Sequence, residues 1–256
     1  MNIVLQSIQN QRRQWLAMLA SIAMAVITAT ASAAPDAEAL LKQADRARGG
    51  GLPGIVWTVA AESREGGRDL ETQVLEVKAT ADASLAETQE PARFRGNKLL
   101  QVGRNMWVTK PGLSKPIPVS PRQRMTGLAS NGDIAATNYA GDYNGVLQGE
   151  EAVNGEACYL LDLTAQDKSS TYDHVRYWIA KDRGVGVKAE FYSLSGKLLK
   201  TATFEYKQTI TYEGKSIPFV SHMIITDALQ DASTDLKYGD VVVQPIPTSE
   251  FAQGQL

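Results

Sequence analysis

The sequence predicts a mainly β protein of the α+β class: one antiparallel sheet of about eleven strands, an N-terminal helix and a lid-like middle segment. Three observations carry that expectation. Segments of alternating apolar and polar residues follow one another closely, separated by turn signals and without the crossover helices a parallel sheet requires. The alternation leaves one apolar face and one wet face, so the sheet covers something. From Pro111 to Gly149 the strand pattern lapses, and a connection of that length is too long to be idle inside a compact domain.

Composition agrees with a globular chain. The 256 residues are 43% hydrophobic and 21% charged with net charge −2, enough apolar material for a substantial core. A single cysteine, Cys158, excludes a disulfide framework. The near-neutral balance gives no reason to expect nucleic acid as a partner.

Residues 1–33 read as a cleaved signal peptide. A polar start ends in Arg12 and Arg13, Trp15 to Thr30 is apolar, and Ala31-Ser32-Ala33 has the small-x-small pattern of a processing site. The apolar stretch is short for a membrane span, and no basic stop-transfer cluster follows. No cysteine stands at the cleavage point to take a lipid anchor. The expected address is the periplasm of a Gram-negative bacterium, with residues 34–256 as a single mature domain. In an oxidising compartment a lone Cys158, set in the apolar run Ala157 to Leu161, is expected to be buried and unpaired.

The mature chain opens on a helix. Asp36 is its candidate N-cap, and Ala37, Leu40, Leu41 and Ala44 recur at helical spacing before Gly49-Gly50-Gly51 ends it. Strands are expected at 55–61, 72–79, 99–102 and 106–109, the last two forming a hairpin across Gly103-Arg104-Asn105. Later strands fall at 158–164, 175–180, 187–192, 198–207, 217–226 and 236–243. In the middle segment Ser120-Pro121 is placed to cap a short helix running through Met125.

Catalytic sets are absent from the pattern. His174 and His222 lack a second histidine at metal-binding spacing, and no nucleophile elbow, phosphate-binding loop or dinucleotide fingerprint occurs. Neither catalysis nor a cofactor or metal is expected. Arg93, Arg95, Lys98 and Arg104, with Phe94 among them, form a small basic cluster that reads either as a solvated hairpin face or as a docking patch for an anionic partner. An apolar concave face must pack against the helices or leave a cavity for a ligand, and alternation alone does not separate the two.

The run Arg95 to Val108 (RGNKLLQVGRNMWV) resembles a segment of the LolA/LolB-like family, in the branch of outer-membrane lipoprotein-sorting proteins. There a Gly-x-x-Leu-Leu-x-Val strand turns into a Met-Trp strand ending at a proline, here Pro111. Ser120 to Met125, Leu147 to Glu151, Tyr177-Trp178-Ile179, Lys188 to Tyr192 and Gly196 to Thr201 continue the likeness in order. The resemblance implies an incomplete antiparallel barrel whose hydrophobic cavity is covered by helices. It further implies a carrier without catalysis that binds acyl chains of a lipoprotein, or another lipid, and passes them toward the outer membrane. Partners implied are an inner-membrane exporter and an outer-membrane receptor. An accessory subunit docked on an exporter of the resistance-nodulation-division type, binding no free lipid, is the alternative.

Candidate ligand contacts follow from strand facing. Tyr177, Ile179, Phe191, Phe204, Tyr206, Met223 and Ile225 fall on the apolar face. Leu100, Val102 and Trp107 come from the hairpin that carries the resemblance, and Met125 and Leu128 from the lid. At each position, core filling explains the pattern as well as ligand contact does.

Overall fold

The computed structural model describes residues 35–255, so the expected leader lies outside the described residues. Helix α1 (Ala37–Arg46) starts where the sequence places it: the Asp36 side chain accepts the Glu38 N–H at 3.3 Å, and Glu38 pairs with Lys42 one turn on. Leu41 and Ala44 are its buried stripe.

After α1 the chain enters β1 (Ile55–Glu65), β2 (Arg68–Asp69), β3 (Gln73–Ala79), β4 (Ala83–Glu90), β5 (Lys98–Val102), β6 (Asn105–Thr109) and β7 (Ile117–Val119). The middle segment holds β8 (Arg124–Thr126), β9 (Ala129–Ser130), α2 (Asn131–Ile134) and α3 (Tyr139–Asp142). Then come β10 (Tyr143–Val153), β11 (Glu156–Ala165), β12 (His174–Ala180), β13 (Gly186–Tyr192), β14 (Leu198–Glu205), β15 (Gln208–Tyr212), β16 (Lys215–Phe219), β17 (His222–Asp227) and β18 (Ala232–Val243).

One antiparallel sheet runs β10-β11-β12-β13-β14-β17-β18-β1-β3-β4-β5-β6-β7, with β2 paired to β1, and it is curved without closing into a barrel. The thirteen strands of that path exceed the eleven expected. β4, β7 and β10 fall outside the strands expected: the cores of β4 and β10, Ala-Glu-Thr-Gln and Gly-Glu-Glu, lack the apolar repeat that marks a strand, and β7 is a three-residue edge strand centred on Pro118. The single strand expected over 217–226 is broken at Val220-Ser221, where β16 folds back on β15 as a separate hairpin before β17 joins the sheet. Ser221 makes the break by donating to the Glu205 carbonyl at 3.0 Å and accepting the Lys207 N–H at 3.1 Å.

The two edges of the sheet are β7 and β10, and the segment 120–142 is the chain that connects them. This lid is less helical than the sequence suggests: α2 and α3 have four residues each. The helix expected from Ser120 to Met125 is instead one capped turn, with the Arg122 N–H on the Ser120 hydroxyl and the Gln123 amide oxygen on the Ser120 N–H. It then extends as β8, because Gly127 reverses the chain into β9 at φ +49°. A Cβ at Gly127 would meet the Ser63 and Thr234 hydroxyl oxygens at 2.0 and 2.4 Å. Glycine there lets the lid lie directly on β1 and β18.

The core sits between the concave face and α1 plus the lid. Trp57, Leu75, Leu163, Tyr177, Phe191, Phe204, Met223, Ile225 and Leu236 belong to one buried cluster, which the lid joins through Leu128, Ile134 and Tyr139. A second cluster on the outer face gathers Cys158, Leu160, Trp178 and Val187, so Cys158 is buried and free. This explains Trp178 on an otherwise polar side. The bulge opposite Trp178 and Ile179 sends Val187 outward to it.

Candidate lipid-binding face and its lid

The expected concave residues of the central strands do come together. Tyr177, Ile179, Phe191, Phe204, Met223 and Ile225 are all buried in the same cluster, and Tyr206 packs half-buried against it with its hydroxyl on the Gly186 carbonyl at 2.7 Å. Leu128 is buried there from the lid. Met125 is half-buried against the same cluster.

The hairpin residues face the other way. In β5 and β6 the core side chains are Leu99, Met106 and Val108. Leu100 and Trp107 pack on the opposite face with Leu85 and Phe251, and Val102 is 40% exposed. Leu99-Leu100 offers an apolar residue to each face, and the C-terminal turn carrying Phe251 covers the outer one. Local alternation therefore could not say which leucine looks inward.

Side chains fill the centre of the concave face, and the openings lie at its margins. One groove of about 500 Å³ runs between the β4–β6 side of the sheet and the lid. Phe94, Val108, Leu113, Ile117, Val119 and Met125 form its apolar lining, and a polar rim that includes Lys110, Gln123, Arg124 and Asn131 completes it. Val108, Val119 and Met125 also touch the main core cluster, so the groove leads directly onto it. Its volume lies within the ~300–1,000 Å³ typical of small-molecule sites. Among the described residues no three His, Cys, Asp or Glu side chains converge as a metal-ligand set.

Polar latches hold the lid down. Lys200, on the concave side of β14, is buried and donates to the Leu128 carbonyl (2.6 Å) and to Asp133 (3.0 Å). Asp133 also accepts from the Tyr172 hydroxyl at 2.6 Å and the Ser130 N–H at 2.9 Å. The Leu128 N–H donates to the Thr234 hydroxyl at 2.8 Å. Arg122 donates to Asp173 and to the Ser170 carbonyl.

At the other end α1 takes hold. The Asp45 carboxylate accepts the Ala140 N–H at 2.9 Å, and burial pushes its pKa up to about 7. Gly50 lies so close to the lid that a Cβ would sit 1.9 Å from the Thr137 carbonyl oxygen. Asp142, at the end of α3, is raised to about 6, again chiefly by burial.

The basic cluster does not form one patch. Arg93 pairs with Glu71, and Arg95 donates to the Gln89 carbonyl. Arg104 turns to the lid and the loop beyond it, donating to Asp167, to the Gly141 carbonyl (2.9 Å) and to Gln166 (2.8 Å). Lys98 has no carboxylate within 4 Å among the described residues. Proximity in sequence suggested a shared face, but Lys98 and Arg104 stand at opposite ends of the β5–β6 hairpin, and Arg104 reaches from its turn to the chain flanking β10. Asp45, Asp133 and Lys200 are not among the residues the pattern singled out. Of these Lys200 carried a signal, since it stands two and four residues before the inward Ala202 and Phe204.

Comparison with known proteins places this architecture. No curated protein matches the sequence. A family model described as an uncharacterized protein matches residues 80–256. A DUF1329 family protein from Desulfovibrio piger shares the fold at TM-score 0.73 and 22% identity, over 86% of this chain and 97% of its own. A domain assigned to outer membrane lipoprotein sorting from Vibrio parahaemolyticus does so at TM-score 0.71 and 21% identity, over 86% and 99%. A LolA superfamily protein from Nitrosomonas europaea is 34% identical at TM-score 0.76, over 87% of this chain and 100% of its own. With that identity across the whole of a solved relative, the chain belongs to the LolA superfamily.

Proposed function

We propose that the protein is a periplasmic carrier that takes the acyl chains of a lipoprotein, or another lipid, against its concave face and passes them toward the outer membrane without chemistry. The observation that carries this reading is the lid. A sheet left open between β7 and β10 has its apolar face covered by the very segment that joins those edges, and a groove with an apolar lining and a polar rim leads beneath that cover. Burying a C16 chain at ~0.8 kcal/mol per CH₂ offers on the order of 10 kcal/mol gross, enough to hold cargo without a covalent step. Lid opening lowers apparent affinity by the fraction of time the open form exists, which gives a means of release.

Membership of the LolA superfamily supports the reading, as does the Vibrio relative assigned to lipoprotein sorting at the level of fold. The exporter and receptor between which the carrier would work are part of the same proposal, as is cleavage of residues 1–33. Mass spectrometry of the protein extracted from its host periplasm tests it. Stoichiometric co-purified lipid or acylated peptide is expected; a lipid-free protein that also fails to displace a fluorescent fatty acid contradicts it.

A further inference from the structure

Arg48 is the most conspicuous side chain in the interior. It is 5% exposed, and no carboxylate lies within 4 Å of its guanidinium among the described residues. Its Nη2 donates to the Met223 sulfur at 3.7 Å, and no protein atom accepts from Nη1. Aromatic faces lie over it, Phe204 at 4.7 Å and Tyr139 at 5.4 Å from the guanidinium carbon, while the Asp45 carboxylate and the Tyr177, Tyr206 and Tyr238 phenols are near enough to feel its charge. Cation–π contact and a thioether compensate a buried cation far less than a carboxylate would. The Asp45 carboxylate is also short of partners, with Oδ1 buried and unbonded while Oδ2 serves the lid.

The backbone around Arg48 is fixed. Its N–H and that of Gly50 both donate to the Asp45 carbonyl at 2.9 Å, and the Val220 N–H donates to the Ala47 carbonyl at 2.9 Å. The side chain is thus anchored at its root and aimed inward before any ligand arrives. One of the rings covering it, Tyr139, belongs to the lid and rests on the Asp45–Ala140 and Arg104–Gly141 contacts. Displacing α3 uncovers a preorganised cation at the end of an apolar face.

We infer that Arg48 is a specificity-determining residue of the binding face: it receives the anionic head of an acyl-chain ligand, carboxylate or phosphate, when Tyr139 moves away. The inference rests on the carrier reading above and adds the charge of the ligand. A charge-assisted hydrogen bond made in a water-poor interior discriminates strongly against a neutral head of similar size.

The experiment uses delipidated protein and competition against a fluorescent fatty acid with three ligands: palmitate, hexadecyl phosphate and methyl palmitate. At least one anion is expected to bind about tenfold or more tightly than the ester, and which anion wins separates the carboxylate source from the phosphate source. In Arg48→Met the ratio of anion to ester affinity should fall to about one, while Arg48→Lys keeps part of the preference. Equal affinity of all three ligands for the unmodified protein overturns the inference whatever the variants do. So does an Arg48→Met protein that retains the preference. Failure of all three to bind the unmodified protein instead overturns the carrier reading itself.

Discussion

Lys200 stands in register with Ala202 and Phe204 on the apolar side of its strand, yet it is buried beside Asp133 rather than solvated. Removing one partner of such a pair leaves the other charged and dry, at a typical cost of about 3–5 kcal/mol. Lys200→Met should therefore lower the unfolding free energy by about that amount, measured by denaturant titration. The double variant Lys200→Met with Asp133→Asn should recover part of the loss, because both charges are then gone. Asp45 gives a pH signature. Burial raises its pKa from 3.8 to about 7, so the folded chain binds this proton more tightly than the unfolded chain. Its contribution is fully present below pH 4 and disappears as pH rises through 7. Asp45→Asn should flatten stability between those values, leaving the smaller slope from Asp142, and an unchanged slope would show that Asp45 is not the group concerned.

At the scale of elements, the lid lies on the sheet because two glycines permit it. Gly50→Ala sets a Cβ against the Thr137 carbonyl, and should speed hydrogen exchange in 131–142 while leaving β11 to β14 protected. Met125 lines the groove half-buried. Met125→Glu should leave the melting temperature nearly unchanged and weaken fatty-acid binding about tenfold or more; full affinity would remove Met125 from the site. The sequence makes the central strands legible because each has a period-two apolar face. Phe191, Phe204, Met223 and Ile225 could be placed for that reason. It hides the facing of Leu99-Leu100, where both sides are covered. It also hides the lid's construction, because Asp45 meets Ala140 and Lys200 meets Asp133 across 67 residues or more, and nothing periodic links them.

For the whole molecule, thirteen strands curve far enough to make a concave face but not far enough to seal it, and a mostly irregular segment bridges the remaining gap. Here apolar packing and a few polar latches at Asp45, Arg104, Arg122, Thr234 and Lys200 hold the cover. None of those contacts belongs to the strand ladder itself, so breaking them leaves the sheet's own hydrogen bonds in place. A carrier of this build requires a persistent sheet beneath a movable cover. Hydrogen exchange followed by mass spectrometry, comparing delipidated protein with protein saturated by an acyl ligand, tests it directly. A ligand-dependent change confined to 120–142 and the end of α1, with β11 to β14 unaltered, is predicted; saturable binding that leaves the lid's exchange unchanged would contradict it.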